Sequence, residues 1–250
     1  MVVLVTGANG QLGQSIQFIA NKYPNIQFVY TDFQEMDITN LESCQTFFSN
    51  YKPQFCINTA AYTAVDKAES EQEKAHLINA VGAEHLAKVC KEFDTILLHI
   101  STDFIFDGLA GPYKEDDLPC PVSFYGESKL AAELLLKESE IEWAILRTII
   151  VYGVVNDMSR SNIVLWAKGA LEKGNPINIV NDQWRMPTLA EDLAEICLLA
   201  VSKRAKGVYN ASGKDMMSII ELVEQVADFY GLDKSLMNVG IIKLGAKTCS

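Results

Sequence analysis

Tyr125 and Lys129 stand at positions i and i+4 of Phe124-Tyr125-Gly126-Glu127-Ser128-Lys129, and upstream Ser101-Thr102-Asp103 follows an apolar run. A hydroxyl, a phenol and an ammonium are the groups needed to protonate a carbonyl oxygen while a nicotinamide delivers hydride to its carbon. Residues four apart on a helix share a face, so the Lys129 ammonium is expected beside the Tyr125 phenol. There it would favour the ionised form and bring a group of pKa about 10 into use near neutral pH. Tyr-x-x-x-Lys alone is a common pattern, and its meaning depends on the site the rest of the chain builds around it.

A second motif supplies a place for the cofactor. Gly7-Ala8-Asn9-Gly10-Gln11-Leu12-Gly13 is G-x-x-G-x-x-G between a strand-like run and a helix-like run. Gly7 suits a turn with unusual dihedrals, Gly10 lets backbone approach a pyrophosphate, and Gly13 lets helix pack on strand. The helix then offers free N–H groups and the positive end of its dipole to phosphate. Asp32 closes the next strand, where its carboxylate can bond the adenosine ribose hydroxyls and repel a 2′-phosphate. Phe33 and Gln34 bring no arginine for that phosphate, so of NADH and NADPH the sequence favours NADH. Asp37 and Ile38 follow closely and border the expected adenine position.

These motifs need elements to position them. Strand-like runs at Met1 to Thr6, Ile26 to Thr31, Gln54 to Asn58 and Thr95 to Ile100 alternate with helical spacing at Gln11 to Lys22, Leu41 to Tyr51 and Glu71 to Glu92. Strict alternation predicts an α/β fold: a Rossmann-type doubly wound parallel sheet, with ligands at the carboxyl ends of the strands. A turn-rich loop through Gly108, Gly111, Pro112, Pro119 and Pro121 leads to the helix of Tyr125 and Lys129, and Glu142 to Thr148 is a further strand. Beyond Gly153 the pattern predicts helices at Ser161 to Lys173, Leu189 to Ser202 and Ser218 to Tyr230, with strands at Ile177 to Val180 and Val208 to Asn210. Residues 1–152 are expected as a nicotinamide-dinucleotide domain and 153–250 as a small C-terminal substrate lobe, of which 181–205 pack back on the first.

Composition bounds the possibilities. The 250 residues are 49% hydrophobic and 21% charged, an ordinary core-forming balance. A net charge of −11 excludes a broad nucleic-acid surface, which needs clustered Lys and Arg. The longest apolar runs are too short to cross a bilayer, and no basic leader precedes Val2, so no membrane association and a cytoplasmic location are expected. Six cysteines, scattered singly, form no C-x-x-C; Cys56, Cys90 and Cys197 lie in apolar stretches, as small buried hydrophobes do. With three histidines at no ligand spacing, no metal site is expected.

Taken together, the glycine loop, the run Asn58 to Glu69 (NTAAYTAVDKAE), Ser101 to Gly108 (STDFIFDG), Tyr125 to Lys129, and Asn181-Asp182-Gln183 with Pro187-Thr188 resemble the dTDP-4-dehydrorhamnose reductase family of extended short-chain dehydrogenase/reductases. The resemblance covers roughly residues 1 to 230, and the second and third stretches carry most of its specificity. It implies NADH- or NADPH-dependent reduction of the 4-keto group of a nucleotide-linked deoxysugar. On this chain it makes Tyr125 the proton donor, Lys129 the group that lowers its pKa and holds the nicotinamide ribose, and Thr102 the hydrogen-bond partner of the reacting oxygen. Asp103 would touch the sugar. Gly7, Gly10, Gln11, Leu12, Gly13, Asp32, Asp37, Ile38, Ala60, Ala61, Tyr62 and Thr63 would line the cofactor, with Asn79 supporting them from the long helix. Where the family has Arg-Thr-Ser-Trp, this chain has Arg147-Thr148-Ile149-Ile150, which sets Ile150 in the place of an indole against the sugar. The implied partner is a nucleotide sugar, and a homodimer is the expected assembly.

Other residues carry two readings. Arg185 suits a diphosphate or the sugar, or else a surface ion pair. Trp184 reads as a packed aromatic more readily than as a lid. Arg147 divides evenly between site and local structure, and His99 reads as a core or sheet-edge histidine. Two other functions compete: an NDP-sugar epimerase or dehydratase, and a nucleotide-binding regulatory subunit such as the β subunit of methionine adenosyltransferase, which is similar to the same family. Dehydratases add an acidic pair after the threonine, whereas here Asp103 is followed by Phe104.

Overall fold

A computed structural model describes residues 1–154 and 162–240 of the chain. The first half alternates as its sequence requires: β1 (Val2–Thr6), α1 (Gln11–Ile19), β2 (Gln27–Tyr30), α2 (Leu41–Tyr51) and β3 (Phe55–Asn58). Short helices α3 (Val65–Ala68) and α4 (Gln72–His76) then lead through a π-helical turn, Leu77–Val81, into α5 (Gly82–Phe93). The helix expected over Glu71 to Glu92 is therefore one run with a π-turn at its middle, a local widening that frequently marks functional sites.

β4 (Ile96–Thr102) precedes the long loop, and α6 (Phe124–Glu138) carries Tyr125 and Lys129. β5 (Trp143–Thr148) and β6 (Val151–Tyr152) follow. The remainder comprises α7 (Ile163–Glu172), β7 (Ile177–Val180), β8 (Trp184–Arg185), β9 (Thr188–Leu189), α8 (Ala190–Lys203), β10 (Gly207–Asn210), β11 (Met217–Ser218), α9 (Ile219–Tyr230) and β12 (Met237–Gly240). Ser161, the expected start of the first of these helices, and residues 241–250 of the expected lobe lie outside the described residues.

Six parallel strands pair in the order β10-β5-β4-β3-β1-β2. β1 has β2 on one side and β3 on the other, so the chain reverses its winding there and opens a crevice at the carboxyl ends of β1 and β3. The strand expected over Val208 to Asn210 does not stand among small-lobe strands: it joins this sheet, with Val208 beside Ile145 and Asn210 beside Arg147. α8 buries Leu193, Ala194, Cys197 and Leu198 in the same core as Leu12 and Ile16 of α1. On the other face Phe48, Leu86 and Val89 pack against Leu4, Cys56 and Leu97. A separate core joins α7, β7 and α9 through Ala167, Leu171, Ile179 and Val223.

Four of the described α-helices start on a side-chain cap. The side chains of Asn40, Ser123 and Asn162 accept from the third residue beyond, and Ser218 and Glu221 form a full capping box on α9. α1 differs. Its N-cap is Gly10, with no side chain over the first turn. No helix among the described residues is long and apolar enough to cross a membrane.

Candidate active site

Gly7 leaves β1 with φ +62°, and a Cβ there would stand 2.7 Å from the Ala60 backbone. At Gly13 an added Cβ would meet the Gly7 carbonyl at 2.6 Å. The loop is thus pressed between β3 and its own helix, and only hydrogen fits at both positions. The Gly10 N–H donates to the Gly7 carbonyl at 2.9 Å, closing the turn. Because no side chain caps α1, the positive end of its dipole faces the crevice, and the cradle suits a pyrophosphate.

Asp32 stands at the end of β2 and braces this loop. One carboxylate oxygen accepts from the Asn9 N–H at 2.9 Å, the other from the Phe33 N–H at 2.8 Å. Asp37 uses one oxygen on the Thr39 N–H and hydroxyl, building the turn into α2. Leu12 and Ile38 are buried in the two cores flanking the sheet. The Gln11 side chain places its buried Nε2 without a hydrogen-bond partner. Ala60 and Ala61 are half-buried after β3, Tyr62 is buried, and Thr63 is exposed. Asn79, in the π-turn, accepts from the Tyr62 N–H at 2.8 Å and donates to the Tyr62 carbonyl at 3.1 Å.

The candidate chemical groups meet beyond β4. Thr102 ends the strand, and Tyr125 lies at the start of α6, packed edge-on against Phe104 with ring centroids 5.6 Å apart. Gly126 permits this approach, since a Cβ there would collide with the Phe104 carbonyl. Burial pushes the Tyr125 phenol up to about 12; a hydrogen bond with Thr102 opposes the shift and the Asp103 charge adds to it. The lysine is not among the groups acting on the phenol. Lys129 shares the helix face with Tyr125, but its Nζ donates to the Ile100 carbonyl at 2.6 Å and lies 3.4 Å from His99 Nε2. The ammonium expected to activate the phenol is held instead by a strand carbonyl, which offers a buried cation a fixed acceptor. Burial lowers Lys129 from 10.5 to about 8, with Glu133 pulling the other way.

Asp103 and Arg185 face each other at the mouth, with Nε 3.5 Å from Oδ2. Arg185 comes from β8, so the contact ties the lobe to the end of β4. Burial raises the Asp103 carboxyl, with Arg185 the largest opposing influence. Trp184 is exposed. Ile150 adopts φ +38°, a left-handed backbone unusual for a β-branched residue, and packs its side chain against the lobe core. Its carbonyl accepts from the Thr188 N–H at 3.0 Å. Strain of this kind clusters at ligand sites. Arg147 is a structural group. It forms a buried pair with Glu133 at 2.7 Å, donates to the Glu115 carbonyl at 3.0 Å, and faces Phe106.

Four residues of this region were given no site role from the sequence: Asn58, His99, Gly126 and Ser128. Ser128 lies between Tyr125 and Lys129 in Tyr-Gly-Glu-Ser-Lys, and the glycine and serine there were the readable clue. Asn58 and His99 sit inside apolar strands, where nothing local tells a buried polar partner from a chance substitution.

A twisted parallel sheet, a glycine cradle at its switch point and a Thr-Tyr-Lys group beyond the fourth strand define a Rossmann-type protein of the extended short-chain dehydrogenase/reductase class. More narrowly, the chain belongs to the dTDP-4-dehydrorhamnose reductase family: residues 1–243 match the RmlD substrate binding domain. It is 32% identical over 247 residues to the dTDP-4-dehydrorhamnose reductase of Aggregatibacter actinomycetemcomitans, covering 96% of this chain and 83% of that one. It is also 30% identical over 243 residues to methionine adenosyltransferase 2 subunit beta of Xenopus laevis, covering 93% and 73%. Among solved structures, the dTDP-4-dehydrorhamnose reductase of Bacillus anthracis in complex with NADP superposes with TM-score 0.89 at 31% identity, covering 96% and 83%.

Proposed function

We propose that this protein reduces the 4-keto group of a nucleotide-linked deoxysugar, of the dTDP-4-dehydrorhamnose type, using NADH or NADPH. The observation that carries the reading is the facing of Thr102 and Tyr125 at the carboxyl end of β4, in the same sheet whose β1 ends in the glycine cradle. A dinucleotide bound in that cradle supplies hydride to the carbonyl carbon. Tyr125 gives its proton to the carbonyl oxygen as that oxygen gains charge, and Thr102 donates a hydrogen bond to the same atom. A phenol held near 12 is fully protonated at neutral pH, as an acid must be before it acts. Lys129 holds the nicotinamide ribose after leaving the Ile100 carbonyl. Gly7 to Gly13, Asp32, Asp37, Ile38, Ala60 to Thr63 and Asn79 line the dinucleotide, several of them through backbone groups alone. Asp103, Ile150 and Arg185 border the sugar.

Asp32 supports a preference for NADH, since its carboxylate stands at the rim of the cradle and Phe33 and Gln34, which follow it, carry no positive charge for a 2′-phosphate. On this reading residues 1–152 are the dinucleotide domain and the described residues from 153 on are the substrate lobe, except that α8 and β10 return to the first. A cytoplasmic homodimer without metal completes the reading.

Incubation with NADH and dTDP-4-keto-6-deoxy-L-mannose, followed by the loss of reduced-nicotinamide absorbance, tests the reaction. Steady oxidation dependent on the sugar nucleotide is expected. Cofactor binding without oxidation would favour the second reading, a regulatory subunit. That alternative draws on the withdrawal of Lys129 to Ile100 and on the likeness to methionine adenosyltransferase β subunits.

A further inference from the structure

His99 is buried in β4, with Asn58 Nδ2 3.1 Å from its Nδ1 and Lys129 Nζ 3.4 Å from its Nε2. Behind Asn58, the Thr6 hydroxyl donates to Oδ1 at 2.7 Å and accepts from the Ala60 N–H at 3.4 Å. Thr6, Asn58, His99 and Lys129 are each no more than 2% exposed. A row of polar side chains thus crosses β1, β3 and β4 inside the sheet and ends on the amine of α6. Apolar side chains would fill that space without the cost of burying polar atoms, so the row calls for a role.

Counting hydrogens supplies one. While Thr6 donates to Oδ1, Asn58 turns Nδ2 toward the ring, and His99 Nδ1 must accept. A neutral ring then carries its hydrogen on Nε2, facing Lys129, and can donate it only to an unprotonated amine. A protonated Lys129 that bonds the ring needs Nε2 bare. The hydrogen then sits on Nδ1, and the Asn58 amide must turn to accept it. The protonation of Lys129 and the tautomer of the ring are therefore linked. Burial first, and the Lys129 charge second, hold His99 well below the usual imidazole range, so the ring itself stays neutral. The other charge acting on this group is Glu133 on α6, with Arg147 of β5 and Lys137 against it. β1 and β3 contribute only the uncharged Thr6 and Asn58.

We infer that His99, held by Asn58 and Thr6, is a positioning residue for Lys129: it draws the amine to the Ile100 carbonyl and ties its protonation to the tautomer of a neutral ring. The row is no route for protons to solvent, because it ends inward on the Ala60 backbone. The inference rests on the reductase reading for what Lys129 does, but not for how it is held.

The test uses the full chain, ligand-free and labelled with 15N-histidine, in long-range 1H–15N spectra from about pH 6 to about pH 10. The three histidines are assigned by His76→Gln, His85→Gln and His99→Gln. The His99 nitrogens should report a neutral ring throughout, with a step centred on the Lys129 value of about 8 that disappears in Lys129→Met. Nitrogens that stay flat across that window, or a step that survives Lys129→Met, overturn the inference. In parallel, a pH midpoint of NADH affinity that Lys129→Met abolishes should move by about one pH unit in His99→Leu and return toward wild type in His99→Gln; such a midpoint left unmoved in His99→Leu also overturns the inference, whereas a midpoint that survives Lys129→Met counts against the reductase reading alone. The spectra need no turnover, so a protein that never oxidises NADH counts against the reductase reading alone.

Discussion

Asn79 Nδ2 donates to Ser128 Oγ at 2.9 Å, and the Ser128 hydroxyl donates to the Tyr125 carbonyl at 2.8 Å. The π-turn between α4 and α5 is thereby fastened to the first turn of α6, while the same amide clamps Tyr62, with Oδ1 accepting from its N–H and Nδ2 donating to its carbonyl. One buried side chain aligns the expected cofactor wall with the expected acid. Asn79→Ala removes the bonds to both Tyr62 backbone groups and to Ser128, and should cost about 1–3 kcal/mol of stability. It should lower kcat by more than it raises KM for the sugar nucleotide. Steady-state kinetics beside a thermal melt check both.

Tyr125→Phe removes the donor while keeping the ring against Phe104. Turnover should fall by about 10²-fold or more, and NADH affinity should stay within about twofold. Oxidation surviving at the wild-type rate would remove Tyr125 as the acid.

Lys129 has a folded-state pKa below its ordinary value, so the unfolded chain binds more protons between about 8 and 10.5. Stability from this group therefore rises with pH across that window. The Tm difference between wild type and Lys129→Met should shift in favour of wild type from about pH 8 to about pH 10. Paired melts across that range measure it.

The Glu133–Arg147 pair is fully buried, and Ser101 donates to Glu133 at 2.6 Å. Burial alone would raise the Glu133 carboxyl, but Arg147 and Ser101 hold it below its usual range. Arg147→Leu strands a charge and should cost about 3–5 kcal/mol, read by denaturant unfolding. The double change Arg147→Leu with Glu133→Leu should recover part of that loss.

Gly7→Ala forces a side chain into φ +62° and against the Ala60 backbone. NADH binding should be lost, with about 2 kcal/mol or more of stability. Ligand fluorescence and a melt separate the two effects.

Much of this protein was written in local pattern. Alternating strand and helix periods fixed the parallel sheet, because a strand that returns parallel needs a crossover. Gly7, Gly10 and Gly13 marked a loop that only hydrogen-sized side chains fit, and Asp32 fell at the strand end beside it. Cys56, Cys90 and Cys197 are buried as their apolar neighbours implied. Caps such as Ser123 and the Ser218–Glu221 box were equally local, since their partners lie three residues away.

Long-range partners were not legible in that way. Helical spacing put Lys129 on the face of Tyr125, but the Ile100 carbonyl and His99 lie on another element and only folding decides that they capture the amine. Nothing local marks Glu133, and only the fold brings Arg147 of β5 against it. The strand at Val208 to Asn210 has a pattern that fits any sheet; its place beside β5 follows from α8 packing on α1. The strained Ile150 likewise has no signature of its own, because the contacts at Thr188 and the lobe core that enforce its backbone come from distant sequence. Periodicity and turn chemistry act over a few residues and can be read along the chain, whereas the pairing of buried polar groups depends on which elements the tertiary fold sets side by side.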